Sequence, residues 1–229
     1  MDIFTRSAEL LSLPMYDKAH QDILQISHPD VQVPAHEQYV LRMMIRSPET
    51  HGFVIPTGLD WLRETILFAA QFQAAMFRLH PYAYVTVRNG EVQSVTDDEW
   101  HVDGFSTRTP HRPEQNYIWS DCYSTEHLEQ QFAIPGDFDP LKHNLHNYFQ
   151  DHADVANIRT SEPKHLTIID PYIVHRRPVV PVGVKRCFFR ISFVPIEIED
   201  DTCTPNPLMP RRVYGRADIR STLIRYQAK

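Results

Sequence analysis

Cysteine is scarce in this chain of 229 residues. Its three cysteines, Cys122, Cys187 and Cys203, make no disulfide framework, so a reducing, cytoplasmic setting is the default expectation. No apolar run approaches the ~20 residues of a membrane-spanning helix, and no signal-like apolar segment opens the sequence. A basic excess is missing too: 23 Lys and Arg stand against 29 Asp and Glu, a formal net charge of −6, which argues against a general nucleic-acid binder. Internal repeats and low-complexity tracts are absent. With 42% hydrophobic residues the chain can build one substantial core. The expectation is a single domain over 1–229 acting on a small molecule, with no nucleic-acid or membrane partner and no forecast of oligomeric state.

The polar residues that are present fall at informative spacings. In Trp100, His101, Val102, Asp103, Gly104, Phe105, His101 and Asp103 alternate as they would at a strand end, so an imidazole and a carboxylate project to one side. A third ligand is available in His175, at the end of the apolar run that begins at Leu166. Two histidines and one carboxylate on one face are the donor set of a facial triad, which leaves metal positions open. After the turn over 178–183, Val184 to Val194 reads as a returning strand. Its Cys187, Phe189, Ile191 and Phe193 make one apolar face, and Arg186, Phe188, Arg190 and Ser192 the other. Two inward guanidiniums need an anionic partner, and a carboxylate fits their planar fork.

The order His101-x-Asp103, His175, then Arg186 or Arg190 resembles the Fe(II)/2-oxoglutarate-dependent dioxygenase superfamily over about residues 84 to 195. The resemblance implies a mainly β fold with flanking helices around a double-stranded β-helix (jelly-roll, cupin-like) core. It also implies that His101, Asp103 and His175 hold Fe(II), and that a basic residue after the distal histidine takes the far carboxylate of 2-oxoglutarate. Spacing favours Arg186 for that role, with Arg190 adjoining it or the substrate. The alternative is Arg190 with Ser192, as an Arg-x-Ser pair. The implied activity is hydroxylation of an unactivated C–H of a small molecule, such as an amino acid or another anionic metabolite, with dioxygen consumed and 2-oxoglutarate converted to succinate and carbon dioxide. Desaturation and ring closure stay open. Rival readings are a non-catalytic metal- or ligand-binding jelly roll, and an oxygenase of this class acting on a peptide, protein or nucleobase.

Along the chain, residues 1–80 are expected to be helical and loop support, with a short helix over 8–13, a helix or strand over 36–45, and one long helix from Thr57, as its cap, to His80. Tyr82 to Val95 reads as a hairpin turning at Asn89-Gly90, with Arg88 solvated near the turn. The core would run over 81–195, with a helical insert near 138–158. His143, His146 and His152 on that insert are expected to face solvent. In the loop after Asp103 and the aromatic strand that follows, His111, Arg112, Tyr117 and Trp119 are substrate-contact candidates, together with Arg190. The Arg-rich extension over 196–229 is expected to lie across an acidic body.

Overall fold

The structure, a computed structural model, describes residues 16, 23–27, 31–50, 52–93, 99–104, 114–139, 142–198 and 202–210. The short helix expected over 8–13, the loop residues His111 and Arg112, and the arginines from Arg211 onward lie outside the described residues.

Among the described residues, nine strands form two antiparallel sheets. They are β1 (Leu24–Ser27), β2 (Gln38–Arg46), β3 (Tyr82–Glu91), β4 (Gln115–Ser120), β5 (Glu126–Leu128), β6 (Ile158–Thr160), β7 (His165–Ile169), β8 (His175–Arg176) and β9 (Lys185–Val194). The larger sheet has the order β1-β7-β4-β9-β3-β2 and the smaller β6-β5-β8. From β4 the chain crosses to β5 and β6, returns to β7, crosses again to β8 and returns to β9. That alternation between two antiparallel sheets is the jelly-roll architecture.

Side-chain alternation sorts the larger sheet into an apolar outer face and a polar inner one. Ala83, Val85, Val87, Tyr117, Trp119, Leu166, Ile168, Phe189, Ile191 and Phe193 are buried outward, against Leu62, Ile66 and Ala69. The latter two belong to α1 (Arg63–Gln73). A second core, with Trp100, Val102, Leu128, Phe132, Tyr172 and Val174, packs around the smaller sheet and takes Leu145 and Phe149 from α2 (Leu145–His152). Most apolar burial therefore lies on the outer sides, and the space between the sheets holds polar side chains beside a smaller apolar cluster of Ile118, Ile169 and Ile173.

The long helix expected over 57–80 is interrupted. Thr57–Leu62 is 3-10, Arg63–Gln73 is α-helical, and Ala74–Met76 is 3-10 again. Thr57 does not cap it, since the residue before the first turn is Pro56 and no side chain caps there. A buried polar chain fixes the far end: Tyr117 Oη donates to Gln73 Oε1 at 3.2 Å, and Gln73 Nε2 lies 2.8 Å from His80 Nδ1. The hairpin expected at Asn89-Gly90 is also corrected, because β3 runs unbroken through both residues, paired with β9 from Tyr82 to Glu91. Asn89 is occupied otherwise: its Nδ2 donates to the carbonyls of Pro34 and His36 at 3.0 and 2.8 Å.

The outer core is held by aromatic packing around Phe189, which is fully buried, stacks on Trp119 with centroids 5.1 Å apart, and meets Trp61 edge-on at 6.0 Å. Phe189→Ala is expected to lower the free energy of unfolding by about 3–5 kcal/mol, in the range of buried phenylalanine truncations, as read by denaturant titration.

Candidate metal centre and cavity

Three side chains meet where the sheets approach. The backbones of His101 and His175 exchange both hydrogen bonds at 2.9 Å as an isolated antiparallel bridge, which sets the two imidazoles side by side with centroids 4.6 Å apart. The His-x-Asp pair was expected on one strand, but only His101 is in the bridge. Asp103 sits in the turn that follows, where Gly104 takes φ +81°, a conformation glycine adopts without penalty. One donor atom from each of His101, Asp103 and His175 lies within 4.8 Å of the others.

Hydrogen bonds settle the tautomers. His101 Nδ1 lies 2.8 Å from the carbonyl of Glu99, and His175 Nδ1 2.8 Å from that of Ile173. A carbonyl can only accept, so both Nδ1 atoms carry the proton and both Nε2 atoms offer a lone pair, as second partners of metal-bound histidines arrange. His175 Nε2 stands 3.3 Å from Asp103 Oδ2. In this tautomer two acceptors face each other, and a cation between them removes the repulsion. Burial, with His175 adding to it, pushes the His101 pKa down to about 4, so its ring is neutral near pH 7. The donor set thus fits a divalent transition metal.

Asp103 is 8% exposed and has two further partners. Arg190 Nη1 donates to its Oδ1 at 2.8 Å and Asn116 Nδ2 to its Oδ2 at 2.7 Å. Burial opposes its charge, but the Arg190 guanidinium holds the carboxyl well below the ordinary range. Asn116 was not foreseen. It alternates with Ile118 and Ser120 on the inner face of β4, opposite Ser192 of β9, and a polar residue inside an aromatic strand was the available signal. Asn116→Leu is expected to weaken metal affinity about 10- to 100-fold, as loss of a ligand-orienting partner does, measured by competition with a chromogenic chelator.

The triad opens into a cavity of about 940 Å³ whose wall includes Thr86, Ile118, Phe188, Arg186 and Arg190 from the larger sheet and His175 and Arg176 from β8. The inward face expected for Arg186 and Arg190 is therefore present. Arg186 Nε donates to the Cys122 carbonyl at 3.1 Å, and its Nη2 to Tyr123 O at 2.8 Å and Ser120 Oγ at 3.3 Å. All three acceptors are neutral, and burial, then the charge of Arg177, lowers the Arg186 pKa to about 10. Ser192 is buried on the same face but is not part of the cavity wall.

Tyr117 and Trp119, considered for substrate contact, point the other way into the outer core, because Ile118 between them takes the inward position. His143 and His152 are exposed as expected, but His146 is turned to the cavity wall, its ring 5.9 Å from that of His101. The cause is packing: Leu145 and Phe149 anchor α2 in the second core, and Gln150 Oε1 accepts from the Trp100 backbone at 3.1 Å, which lays this helix side against the His101 segment. Arg88 is exposed yet also borders the cavity.

No protein-family model matches the chain, and no curated protein matches it in sequence. Among solved structures, EvdO2 from Micromonospora carbonacea var. aurantiaca is similar over 75% of this chain and 74% of its own, at 16% identity and a TM-score of 0.41. EvdO2 complexed with 2-oxoglutarate is similar over 82% and 83%, at 15% identity and a TM-score of 0.39. HygX from Streptomyces hygroscopicus, with nickel and 2-oxoglutarate bound, is similar over 72% of each chain, at 7% identity and a TM-score of 0.34. At these values no residue-by-residue correspondence follows.

Proposed function

We propose that this protein is an Fe(II)- and 2-oxoglutarate-dependent oxygenase that hydroxylates an unactivated C–H of a small anionic molecule. The observation that carries the reading is the triad itself: two imidazole lone pairs and a carboxylate, oriented by the Glu99 and Ile173 carbonyls and by Asn116, at a cavity that also holds two inward arginines.

His101, Asp103 and His175 would hold the metal. When bound, Fe(II) with 2-oxoglutarate and dioxygen supplies an oxidant able to take hydrogen from carbon, while 2-oxoglutarate leaves as succinate and carbon dioxide. Arg186 is the anchor for the far carboxylate of 2-oxoglutarate. Its guanidinium is buried and bonded only to neutral oxygens, and it lies four residues before Arg190, the Asp103 partner, on the same face of β9, so the co-substrate would stretch from the metal to it. Arg190 is already engaged by Asp103 and would serve a different task. Its contact to Asp103 keeps the carboxylate ionised and oriented, and holds positive charge beside bound anions. Phe188, between the two arginines on the same face, lines the wall and limits water there.

The test is anaerobic addition of Fe(II) and then 2-oxoglutarate, followed by visible spectroscopy. A weak metal-to-ligand charge-transfer band is expected, and oxygen should then release succinate. Iron binding without the band or succinate would leave a non-catalytic metal-binding module.

A further inference from the structure

We propose that a second, smaller cavity beyond Arg186 is a separate port for the co-substrate, through which 2-oxoglutarate enters and succinate leaves while substrate stays beside the metal. The port rests on the oxygenase reading and deepens it by giving each ligand its own route.

The register of β3 with β9 sets the order of the parts. Arg190, the partner of Asp103, lies opposite Thr86, and Arg186 lies opposite Gly90. Four residues of strand span about 13 Å. Past that point a cavity of about 470 Å³ is lined by Gly90, Glu91, Val92 and Gln93, at and beyond the end of β3, and by Tyr39 and Thr204. Arg186 belongs to the walls of both cavities, as does Leu41. The anchor therefore stands between the metal and the second cavity. Its guanidinium is tied to Ser120, Cys122 and Tyr123, so a carboxylate arriving from either cavity meets it in one orientation.

The second cavity reaches the surface, since Tyr39, Glu91 and Gln93 on its wall are exposed. Backbone pairing holds it in shape. Val92 N–H donates to the Val184 carbonyl and Gly183 N–H to the Val92 carbonyl, each at 2.9 Å. Across from them, Thr204 N–H donates to the Leu41 carbonyl at 2.7 Å, and its Oγ1 accepts from Leu41 N–H at 2.9 Å. Tyr39 rests over Gly90, where a Cβ would collide with its hydroxyl. A volume of this size suits a small molecule, and a linear dicarboxylate is a small one. A substrate attacked at the metal occupies the larger cavity beside the triad. Were that cavity the sole way in, each 2-oxoglutarate would have to bind before substrate, and each succinate would wait for product. Product release limits many enzymes, and a port beyond the anchor removes that constraint.

Stopped-flow mixing of the anaerobic Fe(II) protein with 2-oxoglutarate, followed at the charge-transfer band, tests this. The slope of the observed rate against concentration gives association and the intercept gives dissociation. A route sets the barrier in both directions and leaves the equilibrium alone. Gln93→Trp, which narrows the port at an exposed position, is therefore expected to slow association and dissociation alike by about fivefold or more, with Kd unchanged within about twofold. Charge locates the entrance independently. Glu91 borders the second cavity and Glu99 the larger one, near the metal. At low salt Glu91→Gln is expected to speed association of the dianion more than Glu99→Gln does, and salt should erase the difference. Thermal melts check that all three variants fold. Association indifferent to Gln93→Trp, a Kd change carried by dissociation alone, or a larger effect at Glu99 than at Glu91 would each overturn the port. No charge-transfer band in the unaltered protein sinks the oxygenase reading and the port with it, whereas a band that forms at rates untouched by these substitutions sinks the port alone.

Discussion

His175→Ala should bring iron-dependent succinate formation down to background and weaken metal affinity by more than about 100-fold, beyond the effect of losing an outer partner. The reason is geometric. Like His101, His175 is fixed on both sides: its backbone is bridged to His101 at 2.9 Å in each direction, and its Nδ1 is tied to the Ile173 carbonyl at 2.8 Å. Alanine keeps the backbone bridge, so the strand pairing survives while the lone pair aimed at the Asp103 side is lost. Two donors then remain, from His101 and Asp103, and Asp103 stays engaged by Arg190 and Asn116. The side chain of His175 is 4% exposed, so its removal also leaves a small void. Circular dichroism and a melting curve separate that effect from metal loss. Metal binding and turnover equal to those of the unaltered protein would remove the triad from consideration.

Much of this site was legible in sequence because it depends on alternation and order along the chain. Arg186, Phe188, Arg190 and Ser192 share a face on β9 by period two, and the opposite set, Cys187, Phe189, Ile191 and Phe193, is apolar. Such a pattern survives without knowledge of the partner strands. What stayed hidden depends on local irregularity or tertiary contact. Arg42 reaches the cavity only through a slip in pairing, which no pattern within β2 announces. Asn89-Gly90 has the composition of a hairpin turn, yet the tertiary bonds of Asn89 to Pro34 and His36 hold it inside a long strand. His146 reads as a solvent-facing residue of an amphipathic insert over 138–158, and what directs it inward is the burial of Leu145 and Phe149 beside it. Tyr117 and Trp119 become substrate-contact candidates by following the loop after Asp103, whereas parity on β4 gives the inner face to Asn116, Ile118 and Ser120.

The two arginines of β9 separate cleanly by substitution. Arg186→Leu is expected to raise the Kd for 2-oxoglutarate by about 10- to 150-fold, since a charge-assisted contact contributes about 1.5–3 kcal/mol, with little change in iron affinity. The three neutral oxygens it now binds, on Cys122, Tyr123 and Ser120, hold the guanidinium in position without neutralising it. A carboxylate therefore meets an oriented charge. Arg190→Leu should act differently. It removes the 2.8 Å partner of a buried carboxylate, so the metal-free protein should lose about 3–5 kcal/mol of stability, the usual cost of breaking a buried pair from one side. Added metal should recover part of that loss, because a cation again compensates Asp103. Affinity for 2-oxoglutarate should shift only slightly. The decisive measurements are spectroscopic titration of the iron complex with 2-oxoglutarate for both variants, and denaturant midpoints with and without metal. If Arg190→Leu alone destroys 2-oxoglutarate binding, the anchor is Arg190 with Ser192, and Arg186 is left for the substrate. Indifference of 2-oxoglutarate to both substitutions would remove the reason for two buried guanidiniums on this face, and with it most of the case for this co-substrate.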